Sequence, residues 1–281
     1  PKGVDESDFV MLIGYPGRTT RHTTASFLEY DQNVLLPYIV QLYQWQIEQM
    51  QQSGKEDRSV MLKHSSRMKS LANVEKRSRG QLKGLVRKKI VATRKAAEAD
   101  LQSFIQADPQ RKDQYGRLLS EIDAVYEEMA RNQYKLDIEN IPSASRLMYF
   151  AFTLYDGAVE RQKEDLQRET PYMDRNIDLT QRRLLLAIKD FHAPTDQIIL
   201  KEMLTRVGMA GPKAEEISDD LPVIDTIPSL YDKTSLGDLE FVESCFGKTP
   251  EELEAIQDPA LDAIIKPVSY THLRAHETVR N

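Results

Sequence analysis

Between Lys63 and Lys95 the chain places Lys63, Arg67, Lys69, Lys76, Arg77, Arg79, Lys83, Arg87, Lys88, Lys89, Arg94 and Lys95 against one acid, Glu75. That is a net charge of +11 in 33 residues of a chain whose formal charge is −6, which leaves −17 for the rest. Such a run can bind a polyanion, dock an acidic protein, or lie against acidic helices of its own chain. The last reading is adopted, because no aromatics interleave the cations and the acidic remainder repels a polyanion. Nucleic acid is therefore not expected as a partner. Inside the run, SLANVEKRSRG holds Asn73. Asparagine is a poor choice for a helix interior unless its amide is used, and that amide offers a donor and an acceptor without a charge.

Other reactive patterns are missing. A serine-type triad needs a serine on a turn whose backbone N–H groups can form an oxyanion hole, and no Gly-x-Ser-x-Gly stretch exists. His22, His64 and His192 are single histidines, read as surface or structural residues. The Gly14-x-x-Gly17 spacing is too short for a phosphate cradle and contains Pro16. Paired acids such as Glu127-Glu128 and Glu251-Glu252 read as solvated helix faces. His272 and His276 stand four apart but have no accompanying ligands, so no metal and no cofactor are expected. The one cysteine, Cys245 in LEFVESCFG, cannot form an internal disulfide and reads as a buried thiol.

The elements that would carry these residues are helical. The chain has 281 residues, 40% hydrophobic and 29% charged, a globular composition. It contains no run of about 18 apolar residues, so no membrane span is expected. Apolar residues recur with spacings of three, four and seven over residues 33–52, 58–97 and 114–136. The second of these is expected to be one long helix bent near Gly80 or Gly84. Asn140–Pro142 is expected to break the chain, with Ser143 or Ser145 capping a helix that runs to about residue 169. Further helices fit residues 174–191 and 195–207. Thr249-Pro250-Glu251-Glu252 reads as a cap followed by proline at the first helical position, with short helices to about residue 266. The fold class is mainly α, a multi-helix domain.

One stretch does not fit. In DFVMLIGYPGRTTRH, five apolar residues, Phe9 to Ile13, run directly into Gly14, Pro16 and Gly17. That is the pattern of a buried strand ending in a tight turn. The chain opens at Pro1, directly before it, and is expected to be a fragment. At the other end, VSYTHLRAHETVRN reads as adapter or vector read-through, an expected non-native tail over residues 267–281.

DFVMLIGYPGRTTRHTTAS resembles a hallmark stretch of the bacterial dipeptidyl-peptidase 7 and 11 family of serine exopeptidases. In that family a strand ending in Gly-(Tyr/Phe)-Pro-Gly-(Arg/Thr)-Thr leaves a chymotrypsin-like double β-barrel and enters a large inserted helical domain. ANVEKRSRG is similar to the family's Asn-x-x-Lys-Arg-x-x-Gly pattern through Asn73, Lys76, Arg77 and Gly80. SLYDKTSLGD and DPALDAIIKP are similar to later helical segments, more loosely, so the resemblance covers residues 1–266.

The resemblance implies that residues 1–30 end a catalytic barrel and residues 31–266 form the inserted helical domain. It implies a serine-type dipeptidyl peptidase that releases dipeptides from peptides with free N-termini. The helical domain would cap the cleft, and Asn73 would bind the substrate's α-amino group. The family's catalytic Ser, His and Asp have no counterpart in this stretch, so no catalytic residue is assigned, and His22 and Ser26 are not given those roles. It further implies a periplasmic, homodimeric parent protein, with no membrane partner and with its signal peptide outside this stretch. The amino-anchor role requires the cations around Asn73 to point elsewhere, since they repel an ammonium. The alternative is a non-enzymatic helical scaffold whose basic helix docks an acidic partner.

Overall fold

A computed structural model describes residues 3–11, 14, 22–209, 222 and 224–265. Among these residues no strand forms. Phe9, Val10 and Met11 are 91, 64 and 75% exposed, so the described part of the expected buried strand is neither buried nor paired. A strand needs a neighbour to satisfy its alternate backbone groups, and no described residue supplies one. Of the Gly-Pro turn beyond it only Gly14 is described; Pro16, Gly17, the histidines at 272 and 276, and the 267–281 tail lie outside the described residues.

The helical run begins with α1 (Ala25–Tyr30), passes through a π-helical turn (Asp31–Leu35) and continues as α2 (Leu36–Ser53). The chain then reverses. Gly54 lies so close to Met61 that a Cβ there would meet Met61 Cα at 2.8 Å, so only glycine fits the corner. Asp57 caps α3 (Arg58–Arg87) by accepting from the N–H groups of Ser59 and Val60 at 2.8 and 3.3 Å. The helix is unbroken through Gly80 and Gly84. It ends three residues beyond Gly84, at Arg87, where Lys88 caps it and Lys89 takes a left-handed conformation, φ 49°. From there α4 (Ile90–Gln106) turns back, followed by α5 (Pro109–Tyr115) and α6 (Leu118–Arg131).

The second half is denser. α7 (Lys135–Ala144) runs through Pro142 rather than breaking at it. The proline falls in the last turn, where it costs the one bond its N–H would make to the Ile138 carbonyl, and the Asn140 amide donates to the Leu136 carbonyl at 2.7 Å. Ser145 does cap the next helix, α8 (Arg146–Arg161), accepting from Met148 N–H at 3.3 Å. α8 ends well before residue 169, and single 3₁₀ turns at Asp165–Gln167 and Thr170–Tyr172 follow it. Then come α9 (Asp174–Lys189), α10 (Ala193–Gly208), α11 (Ile227–Lys233), α12 (Leu239–Cys245), α13 (Pro250–Glu254) and α14 (Pro259–Ile265). Thr249 and Glu252 form a reciprocal capping box at α13, as the sequence indicates, and Cys245 is a buried free thiol.

α8 is the axis of the core. Leu147, Met148, Phe150, Ala151, Phe152 and Leu154 are buried, and so are its polar residues Thr153, Asp156 and Glu160. A helix buried on every side must be enclosed by neighbours. These are α7, α9, α13 and α14, with α10 laid on α7 and α2. α2 and α3 form an antiparallel hairpin whose near end joins this core and whose far end leaves it, and α1, α4 and α6 gather at that far end.

Candidate functional site

The junction between α3 and the core encloses a cavity of about 530 Å³. Four helices supply most of its walls, with Met50 of α2, Ser143 of α7 and the α9–α10 connection completing them. α3 contributes Lys63, His64, Arg67 and Ser70, the start of α8 gives Arg146 and Tyr149, α9 gives Arg183, and α10 gives Thr195 and Asp196.

The wall is held by buried polar groups rather than by apolar contact alone. Asp196, in the first turn of α10, accepts from Ser145 Oγ at 2.8 Å, from the N–H groups of Arg146 and Leu147 at 2.6 and 2.9 Å, and from Tyr231 Oη at 2.7 Å. It therefore satisfies the open N–H groups of α8 and places a negative charge at the positive end of that helix. Burial, with the Asp196 charge next to it, pushes the Tyr231 phenol far above its usual range, so it stays a donor. Arg67 does the converse at the C-terminus of α7. It donates to Gln46 Oε1 at 3.0 Å, to Ser143 O at 3.5 Å and to Ala144 O. Burial, and then the nearby Arg146 cation, lower its pKa to about 10, which leaves it charged at neutral pH.

Two histidines meet on one hydroxyl. His64 Nε2 lies 3.1 Å from Thr195 Oγ1, and His192 Nδ1 lies 2.7 Å from the same atom, with the rings edge to face at 5.6 Å. A hydroxyl has one proton to donate, so Thr195 donates to one ring and accepts from the other when both are neutral. Burial comes first in holding His64 neutral, followed by the charges of His192, Arg67 and Lys63, and its pKa falls to about 4. His192 is lowered by burial and by Lys63. Lys63 Nζ donates to the Phe191 carbonyl at 3.1 Å, fixing the loop that carries His192. The sequence reading treats these histidines as unrelated. The signal available was that His64 falls on the buried stripe of α3, one turn after buried Val60.

Asn73 is not in the cavity wall. Ser66, Ser70, Asn73 and Arg77 are spaced by four, three and four residues, which puts them on one stripe of α3. Ser66 and Ser70 line the cavity and Asn73 stands one turn beyond, exposed, its amide bonded to no described residue. Lys69, Lys76 and Arg77, at i−4, i+3 and i+4, are exposed beside it. The cations therefore share its face and do not point elsewhere. Nor is the basic run buried against acidic helices. Of its exposed cations, Lys95 pairs across to Glu29 at 2.8 Å and Arg79 pairs within α3 to Glu75, while Lys69, Lys76, Arg77, Lys83, Arg87, Lys88 and Lys89 form no ion pair among the described residues. Among the described residues no group of three or more His, Cys, Asp or Glu could hold a metal, and no helix is long and apolar enough to cross a membrane.

Comparison with known proteins finds a match to the Peptidase S46 family over residues 1–280. An Asp/Glu-specific dipeptidyl-peptidase of Shewanella putrefaciens is 28% identical over 222 residues, 78% of this chain and 29% of that protein. Dipeptidyl-peptidase 7 of Capnocytophaga gingivalis is 32% identical over 174 residues, 59% of this chain and 24% of that protein. An Asp/Glu-specific dipeptidyl-peptidase of the same organism is 25% identical over 270 residues, 90% of this chain and 35% of that protein. The chain thus spans about a third or less of the length of these curated relatives.

Proposed function

This chain belongs to the Peptidase S46 family, and we propose that it is the helical part of a serine-type dipeptidyl peptidase that releases dipeptides from free peptide N-termini. The bond-breaking groups of the parent lie outside these residues, and the helical part caps the cleft and restricts it to peptide ends. Asn73 takes the substrate's α-amino group. The observation that carries this role is an exposed mid-helix asparagine whose amide has no partner among the described residues, one turn from a cavity mouth. Its oxygen can accept from an ammonium without adding a buried charge. The neighbouring Lys69, Lys76 and Arg77 oppose an ammonium, so the balancing carboxylate must come from the parent protein beyond these helices. Periplasmic residence and a homodimeric parent belong to the same proposal and rest on the family resemblance.

The test uses the longer parent protein. Dipeptide release is measured from peptides with free and with acetylated N-termini, for wild type and Asn73→Ala. The expected result is cleavage confined to free N-termini and kcat/KM reduced at least about tenfold by Asn73→Ala, a loss of about 1.4 kcal/mol of transition-state binding. Equal cleavage of acetylated peptides, or an unchanged kcat/KM in the variant, removes the amino-anchor role. The unpaired cations of α3 favour one second reading, docking of an acidic protein by that helix. It predicts salt-sensitive association that Asn73→Ala leaves intact.

A further inference from the structure

We propose that the cavity between α3, α8 and α9 is a binding site for an organic carboxylate, held by Arg146 and Arg183. Both side chains line the cavity, and among the described residues neither has a carboxylate within ion-pair distance. Arg146 is half-buried with its guanidinium 5.7 Å from the Tyr149 ring centroid, and this ring contact leaves its N–H fork unused. Two other part-buried arginines of the body are already neutralised. Arg168 bridges Asp165 and Asp174, and Arg206 pairs with Glu202.

The remaining charges of the wall do not fill the gap. Lys63 and Arg67 are spent on backbone carbonyls. Of the two acids, Asp196 is saturated by four donors, and Asp190 is exposed at the end of α9. The cavity thus has an excess of fixed positive charge, with two neutral histidines that add none. An anion entering it meets planar donor forks suited to two-point contact with a carboxylate. The rest of the wall mixes hydroxyls, Ser66, Ser70 and Ser143, with apolar surface from Leu71, Tyr149 and Leu186, and that apolar part suits a short carbon body. This site is independent of the amino-anchor role of Asn73.

Two sources share this chemistry: a carboxylate on a bound peptide, and a free small carboxylic acid. The first experiment is calorimetric titration of the chain with succinate, with uncharged succinamide and inorganic phosphate as controls. Arg183→Gln and Arg146→Gln are compared, with helical content and melting temperature recorded for each. The expected result is saturable succinate binding, no succinamide binding, weaker phosphate binding, and at least a tenfold loss of succinate affinity in Arg183→Gln. Arg183 is exposed, so this variant keeps the fold even where Arg146→Gln does not. No saturable succinate binding, or the same affinity in Arg183→Gln, overturns the proposal. Asn73→Ala is expected to bind succinate as the wild type does, so a failed amino-anchor role leaves this result standing. In the parent protein, a loss of kcat/KM in Arg183→Gln restricted to peptides with an acidic residue assigns the carboxylate to the substrate. Unchanged peptide cleavage alongside lost succinate binding assigns it to a free acid.

Discussion

The two halves of the molecule use amphipathic helices to opposite ends. In the body around α8, Ile138, Leu147, Met148, Phe150, Leu154, Leu184, Ile199, Leu200 and Met203 are fully buried, each contributing about 1.5–3 kcal/mol by leaving water. In the arm built from α3 beyond the cavity, α4, α5 and α6, the buried hydrophobic residues are Leu85 and Ile105. α6 alternates faces cleanly, yet none of its residues is fully buried, and Leu118 and Val125 are about half exposed. An amphipathic pattern therefore shows that a helix has an apolar face, and the tertiary environment decides whether that face is covered. The cavity lies where α3 passes from one regime to the other.

Three measurements would sharpen or break this contrast. The largest effect is expected in the body. Asp196→Ala strips four donors of their acceptor at the start of α8 and should cost about 3–5 kcal/mol in urea unfolding, whereas Val125→Ala in the arm should stay within about 0.5 kcal/mol. Equal costs would mean that the two regions unfold as one unit with the arm as strongly packed as the body.

At the junction the expected effect depends on pH. His64 has its folded pKa depressed to about 4 from 6.5. As pH falls, the unfolded chain takes up this proton near 6.5 and the folded chain does not until about 4, so stability falls across that window. The loss is at most about 3 kcal/mol. Urea unfolding at pH 7 and pH 4.5 should show a smaller difference for His64→Gln than for wild type. An identical difference would show that carboxylates and other groups account for all of it.

The smallest effect is expected at the tip of the arm. Lys89 holds a left-handed backbone that costs a non-glycine residue about 1 kcal/mol, and glycine returns part of that as unfolded-state entropy. Lys89→Gly should raise stability by about 0.5 kcal/mol, read from the urea midpoint. A fall instead would show that the Lys89 side chain makes a contact that outweighs the strain.

Much of the helical architecture was legible because the 3.6-residue period survives wherever one face is covered. Ser145 and Thr249 were readable as caps, since cap chemistry is local. The failures have physical causes too. Phe9 to Ile13 carries a strand's composition, yet its described residues, Phe9 to Met11, are unpaired, because strand formation depends on a partner that composition does not encode. The α3–α4 reversal uses two lysines where glycine was the expected signal, and Pro142 is absorbed by the last turn of α7. The site was less legible than the fold. His64 and Thr195 are 131 residues apart, and nothing local ties them together. The warning was compositional: His64, Glu75 and Ser78 all occupy the buried stripe of α3, where polar residues persist only if the tertiary structure gives them partners.

The length of α3 has a mechanical consequence. Its 30 residues make an unbroken rod of about 45 Å, anchored at one end by Lys63 and Arg67 in the cavity wall and carrying Arg87, Lys88 and Lys89 at the other. About 30 Å separates Arg67 from Arg87 along this rod. α3 packs on α2, so the hairpin would move as one body. A tilt of about 5° about the cavity would displace the cationic tip by about 3 Å while the guanidiniums at its root barely moved.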